Sequence, residues 1–172
     1  IQGALAEALA HYQRSLAAFE SCGDERGCAI AYHNLGMVSA DSERWDDADR
    51  YFRLSLGIAR ALGDIHLEGL GLLNHAEVHL ARKDHDQARH NAESALGIFD
   101  QLGSLIDKAD TYRLIGRVYR ETGRYPLAES RLRSAMELAV TTGSVLSEAE
   151  VARELHGDGY EVLVTGTPGP ST

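Results

Sequence analysis

No proline interrupts the first 125 residues; the three in the chain stand at 126, 168 and 170. Nothing in that stretch removes a backbone donor from an i→i−4 ladder, so most of the chain is free to be helical. Aromatic residues are scarce, with three Phe and one Trp, while Ala and Leu abound. That balance favours helix over strand. Two cysteines, Cys22 and Cys28, are too few for a disulfide framework. They point to a reduced, cytoplasmic setting and to a role as small packing residues. Positive charge is short as well: 17 Lys and Arg against 26 Asp and Glu leave a net charge of −9. A duplex-binding module carries a basic footprint, and an anionic bilayer attracts one, so direct nucleic-acid or membrane binding is not expected.

No apolar run is long enough to cross a bilayer. The opening "IQGALAEALAHYQRS" has neither the charged start nor the apolar core of a signal peptide. It has no initiator Met and enters in mid-pattern, so the chain is expected to be a piece of a longer protein. With 44% hydrophobic and 25% charged residues over 172 positions, there is enough material for one domain with a substantial core.

What the chain has is repetition. Glycines fall at 23, 63, 103 and 143, and alanines at 8, 48, 88 and 128, each 40 residues after the last. Leu16, Leu56, Leu96 and Met136 keep the same step, as do Leu35-Gly36, His75-Ala76 and Ile115-Gly116. Trp45, His85 and Tyr125 share one register, and Tyr32, Leu72 and Tyr112 another. Each unit reads as two helices, because apolar residues recur at three and four. Ala48, Tyr51, Phe52, Leu56 and Ala59 trace one such face. First helices are predicted over 25–41, 65–82, 105–122 and 145–157, and second helices over 2–21, 45–62, 85–102 and 125–142. Gly63 stands where a left-handed residue ends a helix, and Asp64 where the next is capped. A lone hairpin of this kind cannot bury its apolar face, but a stack can.

Tyr112-x-x-Ile115-Gly116-x-x-Tyr119, followed by Gly123, Tyr125 and Ala128, resembles the tetratricopeptide repeat, as does Tyr32-x-x-Leu35-Gly36 with Ala48 and Phe52. Ala8 and Tyr12 supply the second half of an earlier copy. The middle copy departs, with His75-Ala76 for Leu-Gly and Ala92 where an aromatic is usual. The 40-residue period exceeds the usual 34 and is similar to an extended subclass found in signalling scaffolds, motor light chains and sensor segments of bacterial transcription regulators. HEAT and armadillo arrays have comparable periods but lack the Gly/Ala columns. The resemblance implies an all-α fold, a right-handed superhelix (an α-solenoid) of stacked antiparallel helix pairs. It divides residues 1–157 into a half unit at 1–23, units at 24–63, 64–103 and 104–143, and a half unit at 144–157. Residues 158–172, with "TGTPGPST", read as a flexible or disordered tail.

The same resemblance implies a non-catalytic module, without a cofactor, that binds a protein or peptide on the concave face of its first helices. His33, Asn34, Met37, Asn74, Glu77, Arg113, Arg117 and Arg120 are the candidate contacts. Asn34 and Asn74 share one register, and each amide can both donate to and accept from a peptide backbone. Arg113, Arg117 and Arg120 form a basic stripe whose mutual repulsion must be offset. Either an acidic partner does so, through forked guanidinium contacts, or Glu77, Glu150 and Glu154 do so from within. Uncovered end helices, with Leu5, Leu9, Leu16 and Phe19, offer a second reading as a structural segment for homodimerisation.

A third reading comes from "LLNHAEVHLARKDHDQARH", residues 72–90, which holds four of the eight histidines. His75 and His79 stand at i, i+4, the spacing of a zinc site on one helix face. The order His-Ala-Glu-Val-His is not the His-Glu-x-x-His of a zinc protease, and no histidine follows an acid by three, as di-iron bundles require. His75 keeps the register of Leu35 and Ile115, and His79 that of Ser39 and Tyr119, so both fill packing positions. Elemental analysis of the purified protein should therefore find no stoichiometric zinc, iron or nickel; a bound metal lost on replacing His75 or His79 would establish the metal reading instead.

Overall fold

A computed structural model describes residues 2–156, so the tail expected over 158–172 lies outside the described residues. The described residues form eight α-helices: α1 (Gln2–Cys22), α2 (Glu25–Asp41), α3 (Trp45–Leu62), α4 (Ile65–Ala81), α5 (His85–Leu102), α6 (Leu105–Glu121), α7 (Tyr125–Thr142) and α8 (Val145–His156). Every predicted limit falls within one residue of these bounds. Asp24, Asp64 and Asp84 cap α2, α4 and α5 by accepting the backbone N–H of Gly27, Leu67 and Gln87. The Leu67 N–H, with the guanidinium of Arg26 beyond it, holds the Asp64 carboxyl below its ordinary value. The second helices end on left-handed Gly63, Gly103 and Gly143, and the next N–H returns to the carbonyl of Ala59, Phe99 or Ala139.

The chain folds into an α-solenoid of hairpins. Each helix packs on its neighbours in sequence, and first helices also touch across units: α2 on α4, α4 on α6 and α6 on α8. Among the described residues, no two second helices make such a contact. The first helices therefore lie closer together, on the inside of the curve. Polar contacts join successive units along both margins: the Arg26–Asp64 ion pair (2.9 Å) and the His66–Asp107 hydrogen bond (3.1 Å) on one, the Arg82–Asp46 and Lys83–Glu121 (2.9 Å) ion pairs on the other. Such exposed pairs contribute little singly.

The buried interior is built from close approach. Phe52 and Phe99 are almost wholly buried, and each lies where the opposing helix has no side chain. A Cβ on Gly36 would sit 2.5 Å from the Phe52 ring, one on Gly69 would sit 2.8 Å from that of Phe99, and one on Gly116 would sit 2.7 Å from Leu132. At the register of Gly36 the middle unit carries Ala76, and there the residue equivalent to Phe52 shrinks to Ala92.

His75 occupies the place held in other units by buried Leu35 and Ile115. It does so by bonding sideways: its Nε2 is 2.6 Å from Oδ1 of Asp49, and its ring lies 4.7 Å from that of His79. His79 Nδ1 stands 3.4 Å from Asp84. Burial pushes the Asp49 carboxyl up, but the bond and charge of His75, with Arg53 and Arg82, bring it below its ordinary value. Burial, then the charge of His75, lowers the His79 imidazole; burial alone lowers that of His33.

Two outcomes follow from this packing. Gly36→Ala should destabilise the protein by about 1–3 kcal/mol through overpacking. Combined with Phe52→Ala, itself a large loss, the total should fall short of the sum, since the smaller partner removes the clash. Denaturant melts of the four proteins in the cycle measure this, and simple additivity would contradict it. The second outcome concerns pH. An imidazole lowered in the folded state leaves the unfolded chain binding more protons, so stability is full above the free value near 6.5 and declines as pH falls through it. The raised carboxyls of Asp110 and Glu154 act with the opposite sign, at lower pH. His79→Tyr, which installs the residue its register carries at 119, should flatten the fall in melting temperature just below pH 6.5.

Candidate functional site

The inner face is lined by α2, α4, α6 and α8, and the eight candidate residues belong to the first three of these helices. His33 and Asn74 meet across α2 and α4: the Asn74 amide nitrogen is 3.3 Å from Nε2 of His33. With the amide as donor, Nε2 accepts, and the other ring nitrogen, Nδ1, is buried without a partner. The His33 ring also meets that of Phe52 edge-on at 5.9 Å. Asn74 is thus partly engaged within the protein, whereas the Asn34 side chain has no hydrogen-bond partner among the described residues. The two asparagines share a register but not an environment.

The arginines are answered from within the chain. Arg113 lies 3.4 Å from Glu154 and 3.6 Å from Glu150. Arg117 stands between Glu77 at 3.7 Å and Glu154 at 3.9 Å. Arg120 donates to the Glu154 backbone carbonyl at 2.8 Å and lies 3.3 Å from its carboxylate. The side chains of Arg113, Arg117 and Arg120 are 19%, 33% and 43% exposed, so water reaches the stripe increasingly toward the end of α6. Burial pushes the Glu154 carboxyl up against the pull of all three arginines. Burial also raises that of Asp110: Arg113 pulls it down, while Glu150, Asp107 and Glu77 push it up. The internal alternative weighed for this stripe, pairing with Glu77, Glu150 and Glu154, is present.

Four of the eight candidates converge on one cleft between α2 and α4. Met37, Asn74, Glu77 and Arg117 line it with Ala40, Asp41, Trp45, Phe52 and Ala81, around a volume of about 150 Å³. Asp41, Trp45 and Phe52 were not among the candidates. Trp45 and Phe52 keep the registers of packing residues, and only the placing of α3 against the inner face brings them to the cleft. Its materials are an indole, a thioether and a phenyl ring, with one amide, two carboxylates and one guanidinium at the rim. Such a set binds by shape, hydrogen bonding and charge. Among the described residues, no three His, Cys, Asp or Glu side chains are grouped so as to hold a metal ion.

The tetratricopeptide repeat profile matches residues 1–61 and 69–139. The Tonsoku-like protein of Mus musculus is 26% identical over 147 residues, 86% of this chain and 10% of its own length. The Tonsoku-like protein of Bos taurus is 27% identical over 83% of this chain and 10% of its own length. The chain therefore spans about one tenth of the length of these curated relatives. Among solved structures, BtubC from P. vanneervenii superposes with a TM-score of 0.71 at 21% identity, over 83% of this chain and 59% of that one. Aspartyl phosphate phosphatase F from Bacillus subtilis superposes with a TM-score of 0.69 at 17% identity, over 78% of this chain and 36% of that one. At these identities the superpositions show the fold alone, and it is the profile, matching most of the residues and two separate stretches of the repeat, that assigns the family: this chain belongs to the tetratricopeptide repeat family.

Proposed function

We propose that the chain is a non-catalytic binding module of a larger regulatory or signalling protein, and that it holds an extended protein segment along its concave face. Tetratricopeptide repeats generally mediate protein–protein interaction. The observation that carries the finer reading is the convergence of Met37, Asn74, Glu77 and Arg117 on one inner cleft, with Asn34 unpartnered nearby on α2. An inner face made of aligned first helices offers a segment several successive contacts, each one turn of helix deep. Arg113, Arg117 and Arg120 belong to the contact set, but Glu154 already sits among them. An acidic partner would compete with that carboxylate for them, so their first role is to hold α8 in the stack. No helix of the described residues is long and apolar enough to cross a membrane. With both cysteines free, the reading sets the module in the cytoplasm.

Homodimerisation through the end helix is a second reading. Leu5, Ala6 and Leu9 of α1 border an open hollow of about 480 Å³ with Asp41, Ser42, Glu43 and Arg44. Sedimentation equilibrium that fits a monomer alone at every concentration removes it.

The concave-face reading is tested by selecting a random peptide library on the immobilised full chain. Peptides so found should lose at least about tenfold in affinity, or 1.4 kcal/mol, to the Asn34→Ala, Asn74→Ala variant. They should be indifferent to Val140→Ala, an exposed position on the second helix α7. Equal binding to all three proteins would place the contact elsewhere.

A further inference from the structure

The chemistry of the inner cleft narrows what can occupy it, given the concave-face reading on which this step rests. Asp41 and Glu77 bring two carboxylates to its rim and Arg117 one guanidinium, which leaves one negative charge in excess. Asp41 has no ion-pair partner among the described residues. Arg117 is already shared, 3.7 Å from Glu77 and 3.9 Å from Glu154. Asn74 engages His33 through its amide nitrogen, which leaves its carbonyl oxygen without a partner among the described residues. The rim therefore offers carboxylate and carbonyl acceptors, and its one unpaired charge is the negative one of Asp41. Its walls are apolar: Met37, with 39% of its surface exposed, the indole of Trp45, and the small side chains of Ala40 and Ala81.

Lysine and arginine are the side chains that match both features. Their charged heads carry donors and no acceptor, and their long stems lie along apolar surface while the head stays polar. An indole beside the head adds attraction between cation and ring. An acidic side chain would add a third carboxylate to a rim whose one guanidinium already stands between Glu77 and Glu154. A purely apolar one would cover Asp41 without answering its charge. We propose that the cleft between α2 and α4 is a pocket for one basic side chain of the bound segment, its stem against Met37 and Trp45 and its head between Asp41, Glu77 and the carbonyl of Asn74. The partner chemistry is thus a peptide with a single lysine or arginine anchor, in contrast to the acidic partner that the arginine stripe alone suggests.

Trp45 is the only tryptophan in the chain, so its emission reports directly on this pocket. Peptides selected on the full chain should share a lysine or arginine at one position. The best of them, made as a synthetic peptide, should change Trp45 emission saturably. Replacing the basic residue with norleucine should weaken binding at least about tenfold and replacing it with glutamate more, a difference of 1.4 kcal/mol or greater. Asp41→Asn with Glu77→Gln, checked for unchanged helicity, should erase that preference while leaving the norleucine peptide's affinity as it was. Asp41→Asn alone, an exposed position, should erase part of it. Selected peptides without a shared basic residue, or a norleucine peptide that binds equally well, would overturn the pocket and leave concave-face binding standing. If no peptide is selected at all, both fall together.

Discussion

One steric constraint underlies the rest of the structure: where two helices of a hairpin cross, at most one of them carries a bulky side chain. Gly36 faces Phe52, Ala76 shares its cluster with Ala92, and Gly116 faces Leu132. A second set of registers behaves alike, with Ala29 beside Ala59, Gly69 under Phe99, and Ala109 paired in register with Ala139. Interiors are close-packed, so in the glycine pairs the volume given up on one helix is taken by the ring or leucine of the other. This bears on the binding face. Phe52 reaches the floor of the inner cleft because Gly36 lets α2 lie against its ring. A constraint of core packing thus shapes the surface proposed to meet a partner.

The middle unit meets the same constraint by different chemistry. Elsewhere its first-helix position is a buried Leu or Ile; here it is His75, satisfied by Asp49 from the preceding unit. A buried polar pair is tolerable when each member answers the other, and costly when one is removed. Asp49 belongs to α3 and His75 to α4, so the pair joins two units where leucine would only pack. Of the two histidines whose spacing first suggests a metal site, His75 thus joins two units and His79 meets Asp84 of its own.

Much of this was legible in the chain as written. A step of 40 residues in several independent columns located every helix, because the units are copies and their turns need the same residue types. Gly63, Gly103 and Gly143 marked the ends of second helices for a physical reason, the left-handed backbone there. The turns within units hid the same requirement, since Glu43 and Lys83 adopt it at φ 56 and 63 where the last unit has Gly123. The candidate site was legible as a face but not as a set of partners. A register comparison pairs equivalent residues, whereas contacts between units run slantwise: His33 meets Asn74, Arg113 meets Glu154, Arg26 meets Asp64. The cleft draws on four helices at once, and no one-dimensional column contains it.

The asymmetry of the stack has a mechanical corollary. First helices touch from unit to unit while second helices stand apart, so the array is braced along its inner edge and open along its outer one, like the ribs of a fan. Bending of such an object would change the spacing of the second helices most and that of the inner rungs, which touch, least. A segment held across those rungs, as proposed above, would meet a ruler of nearly constant pitch, and what could adapt to its length is the curvature of the strip as a whole.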